Sequence, residues 1–168
     1  PDRVEQVKQH KENLGCKDGV ISAITWAFEG CNKLVIIEDD ILVSPQFRTA
    51  VDFWDQGGCN ASVGVHGWNV TSNTQNAVRF YLSNYFRAWG WSVNRDTWCK
   101  FNEYLFANNI TVKRLRFSNY VFYLKRKIAR YAVLAKKINT WDYLFADFCY
   151  DEKIYFLTPT RSIVGNIG

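Results

Sequence analysis

The chain has 168 residues, the length of one compact domain, and 48% of them are hydrophobic against 22% charged. This balance excludes an intrinsically disordered tail, and no apolar run reaches the roughly 18 residues that a membrane-spanning helix needs. The net charge of +5 and the pI near 9.0 suit a protein that handles diphosphates, an anionic membrane or nucleic acid. Because the sequence opens at Pro1 and contains no Met, we interpret it as a fragment of a longer protein.

The first half of the chain predicts alternating helices and strands. Apolar residues at spacings of three and four predict a helix that Asp18 caps and Gly30 ends. The four apolar residues from 34 to 37 predict a central strand covered on both faces. The other predicted elements of this half are a helix over 46–54, a turn over 57–60 and a strand within 62–68.

The second half continues in the same way. Its predicted elements are a strand over 80–86, a helix over 96–108, a longer basic helix over 117–137, a helix over 141–149 and a strand that Pro159 stops. Asn94 and Thr140 are the predicted caps of the second and fourth of these elements. A helix that leads directly into an apolar strand indicates an α/β fold, and the chain shows no internal repeat or domain boundary.

Three consecutive acids, Glu38, Asp39 and Asp40, follow the apolar strand. In open α/β sheets, ligands bind at the carboxyl ends of the strands. If the extended backbone continues, Glu38 and Asp40 project to one side, about 6 to 7 Å apart. A divalent cation relieves the repulsion between such carboxylates, and Mg²⁺ or Mn²⁺ takes only one or two of them beside water and diphosphate oxygens. The alternative is a solvated acidic turn.

Cysteine and histidine give no sign of a zinc or redox site. The five cysteines are scattered without a CxxC spacing, and we interpret them as buried thiols. His10 and His66 have no neighbour at metal-ligand spacing and are predicted to be surface or core residues.

Several segments resemble a known enzyme family when they are taken in order. They are NLGCKDGVISAITWAFEG, LVIIEDDILVSPQF, YLSNYFRAWGWSVNRDTW, NTWDYLFADFCY and PTRSIVGNIG. This order resembles bacterial GT-A type nucleotide-diphospho-sugar transferases, and the EDD and WD elements are similar to those of the Golgi N-acetylglucosaminyltransferase I family. The resemblance runs from Asn13 to Gly168. It implies one catalytic domain over residues 1–168, a Rossmann-like mixed sheet flanked by helices, with its N-terminal part missing.

The resemblance also implies roles for individual residues. Asp40 matches the metal-binding carboxylate, and Asp142 matches the region that supplies the catalytic base. The residues that match substrate-binding positions are Glu38, Asp39, Trp89, Gly90 and Trp91. Two simpler interpretations stay open: Asp142 stabilises the first turn of its helix without a catalytic role, and the tryptophans belong to the core.

The predicted function is therefore transfer of a sugar from a nucleotide-diphosphate donor to a hydroxyl of a carbohydrate or glycolipid. The expected cofactor is Mn²⁺ or Mg²⁺, and inversion is expected at the anomeric carbon. We expect a cytoplasmic location with peripheral membrane association, the Golgi lumen being the weaker alternative, and no nucleic-acid partner. Two rival hypotheses remain. The basic, aromatic stretch over 113–137 also suits a nucleic-acid or membrane-surface binding module without catalytic activity. Carboxylates at a strand end also suit a metal-dependent nucleotidyltransferase, which would release pyrophosphate.

Overall fold

The computed structural model describes residues 6–58, 62–68, 77–106 and 139–168. The helices of this part of the chain are α1 (Gly15–Ala27), α2 (Pro45–Asp55), α3 (Arg95–Phe106) and α4 (Asp142–Asp151). Its strands are β1 (Lys33–Ile36), β2 (Ile41–Val43), β3 (Ser62–Val65), β4 (Phe80–Ser83), β5 (Trp91–Asn94), β6 (Tyr155–Pro159) and β7 (Val164–Asn166). The fold is mixed α/β, as predicted, whereas the predicted basic helix over 117–137 lies outside the described residues.

Five of the strands follow one another in space. β1 pairs antiparallel with β5, β3 pairs parallel with β6, and β4 pairs antiparallel with β6. A single antiparallel bridge between His66 and Trp91 connects β3 to β5. The spatial order is therefore β1, β5, β3, β6, β4, while β2 and β7 form a separate antiparallel ribbon.

This order brings several chain segments to one edge of the sheet. Since β5 runs antiparallel to both β1 and β3, and β3 runs parallel to β6, the strands β1, β3 and β6 end on the same side. We call that side the carboxyl edge. The acidic triplet follows β1 there, Trp68 follows β3, Arg161 follows β6, and Trp89 lies just before β5.

The burial predicted for the first strand is wrong. Leu34 and Ile36 are half-buried, whereas Val35 and Ile37 expose 40% and 48% of their surface. The reason is that one face of β1, with Leu34 and Ile36, packs against the core, while the described residues leave the opposite face largely uncovered. An unbroken apolar run therefore does not establish two covered faces.

Two groups of buried side chains stabilise the described part of the chain. The first joins α1, α3 and α4 to β1 and β5, and its fully buried aromatic members are Trp91, Trp98, Phe101, Trp141, Phe145, Phe148 and Phe156. The second joins α2 to the β2–β7 ribbon and to β3, with Phe47 and Val65 at its centre. Trp98 illustrates how a buried polar atom is satisfied, since its Nε1 donates to Thr25 Oγ1 at 2.9 Å.

Most predicted elements are confirmed, and three strands were missed. Those confirmed are the helices over 46–54 and 141–149, the helix over 96–108 as far as Phe106, beyond which residues 107 and 108 lie outside the described part, and the strands within 62–68, within 80–86 and ending at Pro159. Asn94 caps its helix as predicted, because its Oδ1 accepts a hydrogen bond from Thr97 N at 2.8 Å. The missed strands are β2, β5 and β7, which have three or four residues each.

The start of α1 differs from the prediction. The helix begins at Gly15, so Asp18 lies within its first turn and is not the cap. Asn13 Oδ1 accepts a hydrogen bond from Gly15 N at 2.8 Å. Gly15 has φ +71°, a conformation that glycine adopts at little cost.

The prediction that the cysteines are buried thiols is wrong for two of them. Cys16 and Cys99 are exposed, Cys31 is half-buried and Cys149 is buried, while Cys59 lies outside the described residues.

Gly64 lies where β3 comes closest to β5. A Cβ at this position would overlap the carbonyl oxygen of Ser92, and Val65 N donates to Ser92 Oγ at 2.8 Å. The register of β3 against β6 also shifts between Ser62 and Gly64. Contact between β3 and β5 therefore requires a residue without a side chain.

We expect Gly64→Ala to lower the free energy of unfolding by about 2 to 3 kcal/mol, because the backbone must move to accept the methyl group. Urea denaturation measures the change. Gly19→Ala is the matched control, since nothing lies within 4 Å of a Cβ there and alanine favours the helix by about 1 kcal/mol. Equal stability of Gly64→Ala and the unsubstituted protein would contradict the described contact.

His66 is a buried neutral base in the core. Its ring stacks on Phe156 with centroids 4.1 Å apart. Arg87 N donates to Nε2 at 3.4 Å, so the proton resides on Nδ1, which faces Thr158 Oγ1 at 3.4 Å. Burial lowers the pKa of His66 well below 6.5, and the charge of Arg87 lowers it further. The prediction of a core or surface role is confirmed for this residue.

This burial predicts a loss of stability in acid. Below about pH 6.5 the unfolded chain binds a proton at His66 that the folded chain excludes, so the free energy of unfolding falls by up to about 1.4 kcal/mol per pH unit until the lower folded-state pKa is reached. We expect the free energy of unfolding of His66→Phe, measured by urea denaturation, to fall less between pH 7 and pH 5 than that of the unsubstituted protein. Phenylalanine keeps the ring stacking but does not bind a proton. A slope identical to that of the unsubstituted protein would refute this assignment.

Candidate functional site

The acidic triplet lies in a turn at the carboxyl edge. β1 ends at Ile36, and Ile41 N donates to Glu38 O at 3.1 Å, which closes a turn over the acids. The expectation that the extended backbone continues through them is therefore wrong. Glu38 and Asp40 are half-buried, and Asp39 is exposed.

Asp40 is held by the C-terminal ribbon. Its backbone oxygen accepts a hydrogen bond from Ile167 N at 2.9 Å, and its Oδ2 accepts one from Asn166 Nδ2 at 2.9 Å. These contacts follow from the pairing of Ile41 with Asn166 in the β2–β7 ribbon. Oδ1 is buried and has no hydrogen-bond partner among the described residues. A buried carboxylate oxygen without a donor is costly, and a cation would satisfy it.

Asp142 occupies the first turn of α4. The residue before the helix is Trp141, which makes no side-chain cap, so the predicted cap at Thr140 is wrong. Thr140 Oγ1 instead donates to Asp142 Oδ1. The half-buried carboxylate is thus oriented by a hydroxyl two residues before it, and the helix dipole stabilises its charge.

Stacked indole rings bring Asp142 to the acidic triplet. Trp141 and Trp91 are fully buried, and their rings stack with centroids 5.4 Å apart. Trp91 also pairs with Ile36, the last residue of β1. Since Trp141 precedes Asp142 directly and Glu38 follows two residues after Ile36, the two acidic segments meet although about 100 positions separate them.

This proximity affects the pKa values of the neighbouring groups. Burial raises the pKa of Glu38, and the negative charges of Asp40, Asp142 and Asp39 raise it further in that order. Burial, Glu38 and Asp142 likewise raise the pKa of Cys16 in the first turn of α1. The turn after β1, the start of α4 and the start of α1 therefore surround one electronegative site.

Trp91 differs from Trp89 and Gly90, the other two residues predicted to line a sugar pocket. It has no exposed surface, and its ring packs against Phe86 and Trp141 at centroid distances of 4.8 and 5.4 Å. In this conformation it presents nothing to a sugar. Its effect on the site is indirect, through the placement of α4 and of the segment before β5.

Gly90 and Trp89 border the carboxyl edge. Gly90 has φ +59°, and a Cβ there would lie 2.9 Å from Val164 Cγ1. Its carbonyl oxygen accepts a hydrogen bond from Gly67 N at 2.7 Å. Trp89 is half-buried and meets Trp68 edge to face at 4.8 Å. Of the three residues predicted to line a sugar pocket, Trp89 is the one that is not buried.

Sequence reasoning missed three residues of the site. They are Asn166, which donates to Asp40, Thr140, which donates to Asp142, and Cys16. The sequence feature that could have identified Asn166 was its place in PTRSIVGNIG, one of the segments that resemble the glycosyltransferase family. Its contact with Asp40 depends on the pairing of two three-residue strands, which periodicity does not detect.

Two adjoining clefts lie beside the β2–β7 ribbon and α2. Their volumes are about 390 and 540 Å³, and both are lined by Gln46, Val78 and Arg161. Because Arg161 follows β6, the clefts open near the carboxyl edge. Their linings do not include the acidic triplet or Asp142, so they border the carboxylate site without containing it.

The donor set fits a hard cation better than zinc. In the described residues no three His, Cys, Asp or Glu side chains form a group that would enclose a metal ion. Mg²⁺ and Mn²⁺ do not need such a group, since they keep several water ligands and bind one or two carboxylates. The free oxygen of Asp40 is suited to that mode of binding.

Two further findings bear on the assignment. None of the described helices is both long and apolar enough to cross a lipid bilayer. A scan against protein-family models found no match to the chain, and a search of curated proteins found no significantly similar sequence.

The raised pKa of Glu38 predicts a stabilising substitution. A carboxyl group whose pKa is raised on folding stabilises the folded protein fully only below its unfolded-state pKa, which is 4.5 for Glu38. This stabilisation is lost as the pH rises through the folded-state pKa. We expect Glu38→Gln to raise Tm at pH 7 and to change it little at pH 4. Since Glu38 is partly exposed, solvent screening limits the gain to about 1 kcal/mol, or about 2 to 4 °C.

Glu103→Gln, on the exposed face of α3, is the matched control and should leave Tm unchanged. Differential scanning calorimetry at both pH values measures these changes. A fall in Tm for Glu38→Gln at pH 7 would show that Glu38 forms a stabilising interaction and is not repelled by its neighbours.

Proposed function

We propose that the chain is the catalytic domain of a metal-dependent glycosyltransferase of the GT-A type, which transfers a sugar from a nucleotide-diphosphate donor to a hydroxyl of a carbohydrate or glycolipid. The observation that supports the proposal most strongly is the convergence of Asp142 with the acidic triplet. Such a reaction needs negative groups for two separate tasks. One task is to bind the cation, and the other is to accept a proton.

Asp40 is the proposed cation ligand. Its Oδ2 is occupied by Asn166, whereas its buried Oδ1 has no described donor. A Mg²⁺ or Mn²⁺ ion bound there would neutralise the charge that grows on the departing nucleoside diphosphate. Asn166 then acts as a positioning residue that directs the second oxygen toward the ion.

Glu38 and Asp39 are the proposed donor-binding residues. Glu38 lies close enough to Asp40 and Asp142 for both to raise its pKa, so it belongs to the same small space. A carboxyl group there can bind a ribose hydroxyl or a water of the metal shell through hydrogen bonds. Asp39 is exposed beside it and can contact the ligand from the solvent side.

Asp142 is the proposed general base. The acceptor hydroxyl must lose its proton as its oxygen attacks the anomeric carbon, and an inverting enzyme places a carboxylate behind that hydroxyl. Thr140 holds Oδ1 of Asp142, which leaves Oδ2 to accept the proton. Trp89 is the proposed sugar platform, since aromatic rings pack against the apolar faces of sugars. The basic stretch over 113–137 suits work beside an anionic membrane in the cytoplasm.

A thermal-shift screen tests this function directly. The full chain is mixed with UDP-, GDP- and dTDP-sugars, each with and without MnCl₂. We expect one nucleotide to raise Tm only when Mn²⁺ is present, because a ligand at 100 times its Kd stabilises the folded state by about 2.7 kcal/mol. Asp40→Asn should abolish this joint effect, whereas the exposed carboxylate in Asp52→Asn should leave it intact.

Turnover separates the roles of the carboxylates. We expect Asp142→Asn to retain the metal-dependent shift but to lower kcat by about 10²- to 10⁴-fold. Unchanged turnover in that variant would remove Asp142 as the base. No response to any pair of metal and nucleotide sugar would refute the proposed function, and release of pyrophosphate would identify a nucleotidyltransferase instead.

A further inference from the structure

Arg87 is held over two aromatic rings near the carboxyl edge. Its guanidinium carbon lies 4.6 Å from the ring centroid of Trp68 and 4.8 Å from that of Tyr85. The side chain is half-buried, and the backbone N donates to the buried ring of His66. A planar cation that rests on aromatic faces keeps its N–H groups available at its edge.

The charge of Arg87 is not balanced by a described carboxylate. The ion pairs among the described residues involve Lys17, Lys33 and Arg48, not Arg87. Outside the described residues, the sequence stretches 59–61, 69–76 and 107–138 contain no Asp or Glu, and the stretch 1–5 contains Asp2 and Glu5. Burial lowers the pKa of Arg87, as expected of a cation that has lost water without a carboxylate partner among the described residues.

Further aromatic surface surrounds this cation. Trp68 meets Trp89 edge to face, and both rings are half-buried. Tyr81 and Tyr85 expose 45% and 46% of their surface, and their phenols act on Arg87 electrostatically. Trp68 and Trp89 stand at the carboxyl edge, the same edge as the acidic triplet.

We propose that Arg87, Trp68 and Trp89 form a subsite for an acidic sugar. The guanidinium binds the carboxylate or phosphate group through paired hydrogen bonds, and the indole rings pack against the sugar ring. The inference rests on the proposed function, since it gives the substrate class of that site: one of the two sugars carries an anionic group. Its binding chemistry requires neither the metal nor the nucleotide.

Tryptophan fluorescence tests this subsite in EDTA and without nucleotide. The probes are glucuronic acid, glucose 6-phosphate, glucose and inorganic phosphate. We expect one of the two acidic sugars to bind saturably with a Kd below about 10 mM, and glucose and inorganic phosphate to bind at least about tenfold more weakly. Whether glucuronic acid or glucose 6-phosphate binds identifies the anionic group as carboxylate or phosphate.

Substitutions then assign the interaction. Arg87→Gln should weaken binding of the acidic sugar about tenfold or more, and Arg87→Lys should weaken it less, because lysine keeps the charge but not the paired donors. Arg48→Gln is the matched control, since Arg48 is exposed and pairs with Asp52. Asp40→Asn should bind the acidic sugar normally even though it loses the metal response, which separates failure of the subsite from failure of the proposed function.

Three results would overturn the inference. They are the absence of saturable binding for both acidic sugars, unchanged affinity in a folded Arg87→Gln or Arg87→Lys protein, and equal affinity for inorganic phosphate and glucose 6-phosphate. The last result would mean that the rings make no contact with the sugar.

Discussion

The stacking of Trp91 on Trp141 is the contact on which the arrangement of the site depends. One ring belongs to β5 and the other lies at the start of α4, so their contact joins the sheet to the helix layer. Because Trp91 also pairs with the last residue of β1, the two acidic segments on either side of the stack are brought together. The hydrophobic contact between the two indole rings thereby holds close together carboxylates that repel each other.

The repulsion is tolerated because different parts of the fold fix the acidic residues in place. Asn166 in the ribbon holds the carboxylate of Asp40, Thr140 holds that of Asp142, and the turn closed by Ile41 fixes the backbone of Glu38. None of these contacts neutralises a negative charge, since all the donors are uncharged. The fold therefore leaves the site with a net negative charge. A cation bound there would relieve the repulsion between the carboxylates. Strain of this kind is typical of functional sites and is opposed by the aromatic core beneath it.

Local patterns predicted most of the helices because a buried face recurs every three to four residues, as in α2 and α4. They did not predict β2 and β7, whose three residues are too few to show alternation. The burial of β1 was misjudged because it depends on which elements pack against its two faces, and the run of apolar residues does not show that. Glu38, Asp39 and Asp40 stood out by their charge, whereas the proximity of Asp142 was implied only by resemblance. Trp89 is half-buried and Trp91 is fully buried, and this difference in exposure cannot be read from a single sequence.

The bond between Asn166 and Asp40 has a consequence for strand register. Asn166 pairs with Ile41, so its amide reaches Asp40 only when β7 is aligned with β2 as described. A slip of one residue would bring Gly165 or Ile167 to that place, and neither side chain can donate a hydrogen bond. The direction in which the Asp40 carboxylate points is thus decided by the alignment of two short strands, and any change that loosens the ribbon reorients the acid without touching it.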